Sequence, residues 1–421
     1  MTFTLGRCIR PLIGMSLVVL FSLAAAPIYA ADPIKVGFSM ALTGGVAPNG
    51  RQMLIALEIW RDDVNAKGGL LGRLVELVFY DDQSNPSNVP GIYQKLLSID
   101  KVDLLIGPYA TNMVAPAMPV IVSAKKTTVS LLALGVNQHF NYPQYFSMVP
   151  AGPDGIKTFS DGYFQIAAAQ NPKPKTVAIV SADAEFARTA ADGARANAKK
   201  LGFDVIYDKS YPPPTADFTS VMRAVQAANP DIVFVASYPP DTVGIVRATN
   251  ELGYTPKMFG GAMIGLQLTP IKAQLGPLLN GLVINENYVP EPTMKFAGVD
   301  DFLKRYQERA KGAGVDPLGL WSPFAYAEMQ ILGQAVQAVG AIDQARLADY
   351  LHKTTFKTIV GDVKFSASGE WEKTRILTVQ YRKVRGNDIS QFREPGKAVI
   401  VHPSELKSGE LVYPFAEARG H

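Results

Sequence analysis

The 421-residue chain is 48% apolar, carries a formal charge of +4 and holds a single cysteine, Cys8. Its basic residues are dispersed rather than clustered, which leaves no electrostatic footprint for nucleic acid or an anionic membrane. Cys8 lies inside an N-terminal export signal, so the mature chain is expected to have no disulfide, no thiolate metal site and no cysteine nucleophile.

The signal is read over residues 1–30. Arg7 and Arg10 make a basic start, Leu12 to Ala26 an apolar core, and Ile28-Tyr29-Ala30 a cleavage site before Ala31. Cys8 precedes the apolar core and so cannot be a lipid anchor. The apolar run is too short for a stable span, and no later segment is long and apolar enough. Removing the signal removes Arg7 and Arg10, which takes the charge from +4 to +2. A soluble periplasmic protein with no direct membrane insertion is expected. About 390 residues remain, more than one core usually organises, so two lobes are expected.

Strand Ile34–Met40 is followed by helical spacing over Arg51–Ala66, strand Leu74–Tyr80 and helix Asn88–Ile99. Strand Asp103–Ile106, helix Asn112–Lys125 and strand Thr127–Leu132 continue the alternation. This is the rhythm of an open parallel sheet with helices on both faces. A non-helical passage from Tyr145 to Gly152 interrupts it. The rhythm restarts with helix Asp154–Gln170, strand Thr176–Ser181, helix Arg188–Leu201 and strand Asp204–Tyr207. Helix Phe218–Ala228, capped by Asp217 or Thr215, leads to strand Ile232–Ala236, helix Asp241–Leu252 and strand Lys257–Gly261. Leu282–Asn285, helices Phe296–Lys311, Ser322–Val339 and Gln344–His352, and strand Ile376–Val384 follow, with a short strand at Val399–Pro403.

One stretch is more specific than the rest. Asn65-Ala66-Lys67-Gly68-Gly69-Leu70-Leu71-Gly72-Arg73 ends a helix in a glycine turn, and the strand after it ends in Asp81-Asp82. With its spacing, this resembles the signature of bacterial periplasmic receptors that feed branched-chain amino acid ABC transporters, the leucine/isoleucine/valine-binding family. The resemblance covers roughly residues 33 to 385. It implies an α/β fold of two doubly wound lobes joined by a three-crossover hinge, the type I periplasmic binding protein fold. It divides the chain into a first lobe, 31–150 plus 288–361, and a second, 151–287 plus 362–421, with crossings near 149–152, 286–290 and 361–365. The implied protein has no cofactor and catalyses nothing. It closes on a small molecule by hinge bending and docks as a monomer on an inner-membrane ABC permease.

Ligands of open α/β sheets sit beyond the carboxyl ends of strands. There, Gly107-Pro108-Tyr109-Ala110-Thr111 opens a helix that carries no acidic residue through Lys125-Lys126, so its N-terminus is an unopposed anion site. Thr111 also reads as a plain cap, but the family places a carboxylate-gripping Ser or Thr here. The family's ammonium-holding threonine falls at Gly135, two residues after the ligand-touching Ala133, and its acid at Ala262. Both ammonium partners are therefore missing, and a buried ammonium without a carboxylate is strongly disfavoured. Phe186, Tyr238 and Trp321 match ligand-facing aromatics of the family, Asn49 replaces another, and Tyr109 is a further contact residue. Each of these also reads as ordinary packing. Together they point to a flat apolar pocket with one anionic anchor, suited to an aromatic or other apolar carboxylate lacking an α-ammonium. A branched-chain amino acid or amide receptor, and a sensor without transport, remain open.

Enzyme signatures are absent from the sequence. His139, His352, His402 and His421 have no metal-ligand spacing, and there is no nucleophile elbow or phosphate-cradling glycine loop. An exported α/β hydrolase is disfavoured for that reason. Asp62-Asp63 and Asp81-Asp82 read as solvated helix faces or loop caps rather than acid–base pairs.

Overall fold

The computed structural model describes residues 1–4, 6 and 32–420. Cys8 and nearly all of the stretch read as an export signal lie outside the described residues. The chain begins β1 (Ile34–Met40), α1 (Ala47–Asn65), β2 (Val75–Asp81), α2 (Val89–Ser98), β3 (Leu104–Ile106), α3 (Thr111–Ser123), β4 (Thr128–Ser130), α4 (Val136–Phe140) and β5 (Tyr145–Ser147). Its strands form an all-parallel sheet of order β2-β1-β3-β4-β5. Both faces are covered: Leu104 and Ile106 join one core, while Leu105 turns to a second core built with α2 and α3.

The second half runs α5 (Gly155–Ala168), β6 (Thr176–Ala182), α6 (Glu185–Leu201), β7 (Asp204–Tyr211), α7 (Phe218–Ala228), β8 (Ile232–Ser237), α8 (Pro239–Glu251), β9 (Met258–Met263), α9 (Thr269–Leu275) and β10 (Val283–Glu286). Asp217 is the cap of α7, accepting the amides of Thr219 and Ser220. The chain then returns to the first lobe as α10 (Val299–Ala310), α11 (Pro323–Val339), α12 (Gln344–Lys353) and the hairpin β11 (Thr355–Thr358) and β12 (Gly361–Lys364). It ends with β13 (Leu377–Tyr381), β14 (Ala398–His402) and α13 (Phe415–Ala418). The second sheet has the order β14-β13-β10-β9-β8-β6-β7, with β13 and β14 antiparallel to their neighbours.

The signature residues act through local geometry. Gly69 has φ +80°, and a Cβ there would stand 1.8 Å from the Arg73 carbonyl oxygen. The Asn65 side chain accepts from Val75 N–H at 2.7 Å and donates to Val75 C=O at 2.9 Å, which clamps the start of β2. Asp81 takes the amides of Leu42 and Gln83, and Asp82 takes the hydroxyl of Ser39. These acids are loop caps. Asp62 and Asp63 pair with Arg309 and Arg305, which ties α1 to α10.

Besides α4, α9, α13 and the β11–β12 hairpin, which the expected pattern lacks, two passages differ from it. The stretch expected to be non-helical after Tyr145 contains β5, three residues long and so too short for a period to show. The third crossing lies later than 361–365. Ser147 N–H still donates to Gly369 C=O at 2.9 Å, Asn137 to Ser368 C=O at 2.8 Å, and Phe365 packs on Phe146. The chain leaves the first lobe only where Arg375 N–H meets Pro150 C=O, beside the first crossing.

Glu370, on the last stretch before that crossing, is 1% exposed. Burial pushes its carboxyl up to about 8, against the Ser147 hydroxyl. An acid raised in the folded state contributes most below its unfolded pKa and costs stability as pH climbs toward the folded value. Glu370→Gln is expected to raise the melting temperature at pH 8 and to change it little at pH 4, an effect on the order of a few kcal/mol. Equal shifts at both pH values would show that Glu370 does not titrate in this window.

Candidate functional site

The carboxyl ends of both sheets face a cavity between the lobes. β3 ends in the loop that delivers Tyr109, Ala110 and Thr111, and Ala110 has φ +80° and ψ 147°, a region normally left to glycine. Holding alanine there costs about 1–3 kcal/mol, and such strain concentrates at ligand sites. No side chain caps α3 and no acid sits in its first turn. The amides of Met113 and Val114 both return to Ala110 C=O, which leaves those of Thr111 and Asn112 without a helical acceptor. Thr111 Oγ1 accepts the Leu134 amide at 2.9 Å, so its proton remains available to donate.

Six of the ten residues singled out in the sequence meet on this cavity: Tyr109, Ala110, Thr111, Phe186, Tyr238 and Trp321. The other four lie elsewhere. Ala133 turns back into the core with α2 and α3, because Leu132 at φ +51° and Gly135 at φ +65° twist the segment so that Leu132 and Leu134 face the cavity. A Cβ on Gly135 would meet Ile156 at 2.6 Å, on a side away from the lining. Ala262 is buried within β9, which runs on to Met263, so Ile264 and Gln267 of the following 3-10 turn take the lining positions. Asn49 is buried in α1 outside the lining. Val149, Phe159 and Asn287 complete the wall. None of the lining residues is acidic or basic.

The aromatics are held by their own partners. Phe186 packs edge-on to both Phe159 and Tyr238, with centroids 5.8 and 6.1 Å apart. Burial, with Tyr238 nearby, holds the Tyr109 phenol well above its ordinary pKa, so it stays a neutral polar group. Trp321 Nε1 donates to Glu286 at the end of β10, and Glu286 also accepts from Lys272 at 3.2 Å and Tyr381 at 3.1 Å. Burial pushes the Glu286 carboxyl upward, opposed by Lys272 and by the Trp321 and Tyr381 hydrogen bonds.

Asn112 was not among the residues chosen from the sequence, and nothing local marks it. Its Oδ1 accepts Phe186 N–H at 3.0 Å and Tyr238 O–H at 2.9 Å, joining the first lobe to the second. The bond to Tyr238 separates the cavity from an outer cleft of about 310 Å³, and the two share Ala110 and Tyr238 as walls. The inner cavity is narrow, about 30 Å³. An apolar cavity needs about 150 Å³ to take a benzene ring, so a ring-sized guest enters only as the walls part.

A cleft walled by both lobes of a doubly wound, three-crossing α/β protein defines the class of hinged solute receptors. The chain belongs to the periplasmic binding protein family, whose model matches residues 33–381. It is 26% identical over 415 residues to the Leu/Ile/Val-binding protein homolog 8 of Brucella suis biovar 1 (strain 1330), covering 96% of this chain and 99% of that one. It is 25% identical over 349 residues to the Leu/Ile/Val-binding protein of Citrobacter freundii, covering 81% and 88%. Similar solved folds include a solute binding protein of an ABC transporter from Rhodopseudomonas palustris HaA2 in complex with p-hydroxybenzoic acid, at TM-score 0.74 and 21% identity, covering 88% and 98%. The branched-chain amino acid transporter substrate binding protein LivJ of Streptococcus pneumoniae, in complex with isoleucine, aligns at TM-score 0.71 and 19% identity, covering 91% and 100%.

Two outcomes test this geometry. Glu286→Leu strands the Lys272 ammonium and is expected to cost about 3–5 kcal/mol in urea unfolding. Much of that loss should return when Lys272→Met is added, and a double variant no more stable than the single would contradict the pairing. Asn112→Ala removes its two bonds to the second lobe. It is expected to enlarge the radius of gyration in small-angle scattering while moving the melting temperature by only a few degrees.

Proposed function

We propose that the protein is the periplasmic receptor of an ABC importer, without catalytic activity, and that it binds a small aromatic or otherwise apolar monocarboxylate lacking an α-ammonium. The lobes divide near residues 150, 287 and 373 and close on the ligand, and the closed form docks as a monomer on an inner-membrane permease. Six of the residues singled out from the sequence serve as the ligand-binding set, with Leu132, Leu134, Ile264 and Gln267 in place of those outside the lining.

The observation that carries this reading is the distribution of charge around the cavity. Its anion-binding group is the uncapped start of α3 with the Thr111 hydroxyl, and no carboxylate lines it to receive an ammonium. A zwitterionic amino acid would bury its positive end unpaired, at a cost of several kcal/mol. A carboxylate on an apolar ring meets no such penalty. The Rhodopseudomonas palustris HaA2 fold neighbour, in complex with p-hydroxybenzoic acid, supports the same ligand class.

The test uses the chain from Asp32, unfolded and refolded to strip carried ligand, in a thermal-shift panel of aromatic carboxylates, leucine, isoleucine, valine and amides. Aromatic acids are expected to raise the melting temperature and the amino acids to leave it unchanged. Thr111→Val should weaken the aromatic acids by roughly tenfold or more in calorimetry, since it removes a charge-assisted hydrogen bond. A shift with leucine or valine instead would overturn the ligand class and leave the receptor assignment standing.

A further inference from the structure

Three polar side chains on the cavity wall, Tyr109, Gln267 and Asn287, take no part in holding the carboxylate, and Gln267 is the one with an unpaired buried oxygen. Gln267 ends the 3-10 turn Ile264–Gln267 that follows β9, on the second lobe's wall, facing the lobe that carries Thr111. Its side chain is buried, with the residue 2% exposed, and its Oε1 has no hydrogen-bond partner. Three neighbouring polar groups are engaged otherwise. The Trp321 N–H is held by Glu286, the Tyr238 hydroxyl by Asn112, and Thr111 accepts the Leu134 amide. A buried amide oxygen left unpaired is a liability to the fold unless something else supplies the donor.

We infer that Gln267 is a specificity-determining residue that selects ligands bearing a hydroxyl group remote from the carboxylate. The inference rests on the carboxylate reading of the same cavity and adds a second recognition point to it. The missing partner must donate a hydrogen bond. A charged donor is excluded by a lining with no carboxylate, and a second carboxylate has no proton to give. A neutral hydroxyl on a flat ring meets both demands: it donates to the amide oxygen and carries no charge past Phe186 and Ile264. A site built around a ligand hydroxyl also rejects the analogue that lacks it, because the protein group is then left unpaired.

Calorimetry on the refolded chain from Asp32 with benzoate, 3-hydroxybenzoate and 4-hydroxybenzoate tests this, alongside Gln267→Leu and Gln267→Met. At least one hydroxybenzoate is expected to bind the unaltered protein about 10- to 100-fold tighter than benzoate. In both apolar variants the hydroxybenzoates should bind no tighter than benzoate binds to the same variant, and each variant should melt at or above the unaltered protein without ligand. Benzoate binding as tightly as both hydroxybenzoates would overturn the role of Gln267 and leave the carboxylate reading intact, as would a preference that survives in both variants. Failure of all three acids to bind would overturn the carboxylate reading and this inference with it.

Discussion

A buried carboxylate at the end of a strand organises the centre of this molecule. Glu286 closes β10 where the chain leaves the second sheet for the first lobe, and it gathers Lys272, Tyr381 and Trp321 around itself. Two of these belong to the second lobe, and the third lies in the loop between α10 and α11. Desolvating an ion pair is expensive, and it is tolerated here because both oxygens of the carboxylate accept hydrogen bonds, from three donors in all. The result is a joint whose geometry is specified by hydrogen bonds at the place where the two lobes meet. Trp321, which walls the cavity between the lobes, takes its orientation from that joint.

The cavity itself follows from strand direction. Parallel strands in both lobes bring their carboxyl ends to the same cleft, so the loops that begin α3 and α8 and the turn after β9 face one another. Each contributes something different. The first lobe offers unpaired amides and a hydroxyl, and the second offers rings and an amide side chain. Asn112 then bridges them with a single carbonyl oxygen shared by a backbone amide and a phenol. The cavity wall and the bridge between the lobes therefore use neighbouring residues on one helix: Thr111 turned inward and Asn112 turned across.

Most of the fold was legible because its cues are local. The glycine turn at Gly68-Gly69, the clamp from Asn65 and the alternation of apolar runs each depend on residues close in sequence. The short elements were not legible: β5 spans three residues and the β11–β12 hairpin four on each side, too few for a period. Around the cavity, the aromatic positions and the start of α3 do come together, and a strand end followed by an uncapped helix is visible in the residues. Ala133, Gly135 and Ala262 lie off the cavity lining because two left-handed residues, Leu132 and Gly135, and a strand that runs on to Met263 change which side chains face the cleft. Asn112 and Gln267 carry no mark of their own. One is defined by partners more than seventy residues away, and the other by lacking a partner.

The loop that carries Trp321 has a second attachment. Asp316 accepts the amide of Thr269, at the start of α9, at 2.6 Å, and it also holds the Leu318 and Gly319 amides of its own loop. With Trp321 bound to Glu286, the segment from 316 to 321 is fastened to the second lobe although the helices on either side of it pack with the first. Its allegiance in space differs from its place in the chain. If the lobes separate along their least bonded surface, this wall departs together with Phe186, Tyr238 and Gln267. The first lobe then keeps the start of α3 with Tyr109, Leu132, Leu134 and Val149 as its share of the wall. The rings of Phe186, Tyr238 and Trp321 and the amide of Gln267 leave and return in one movement, because they are fastened to the same lobe.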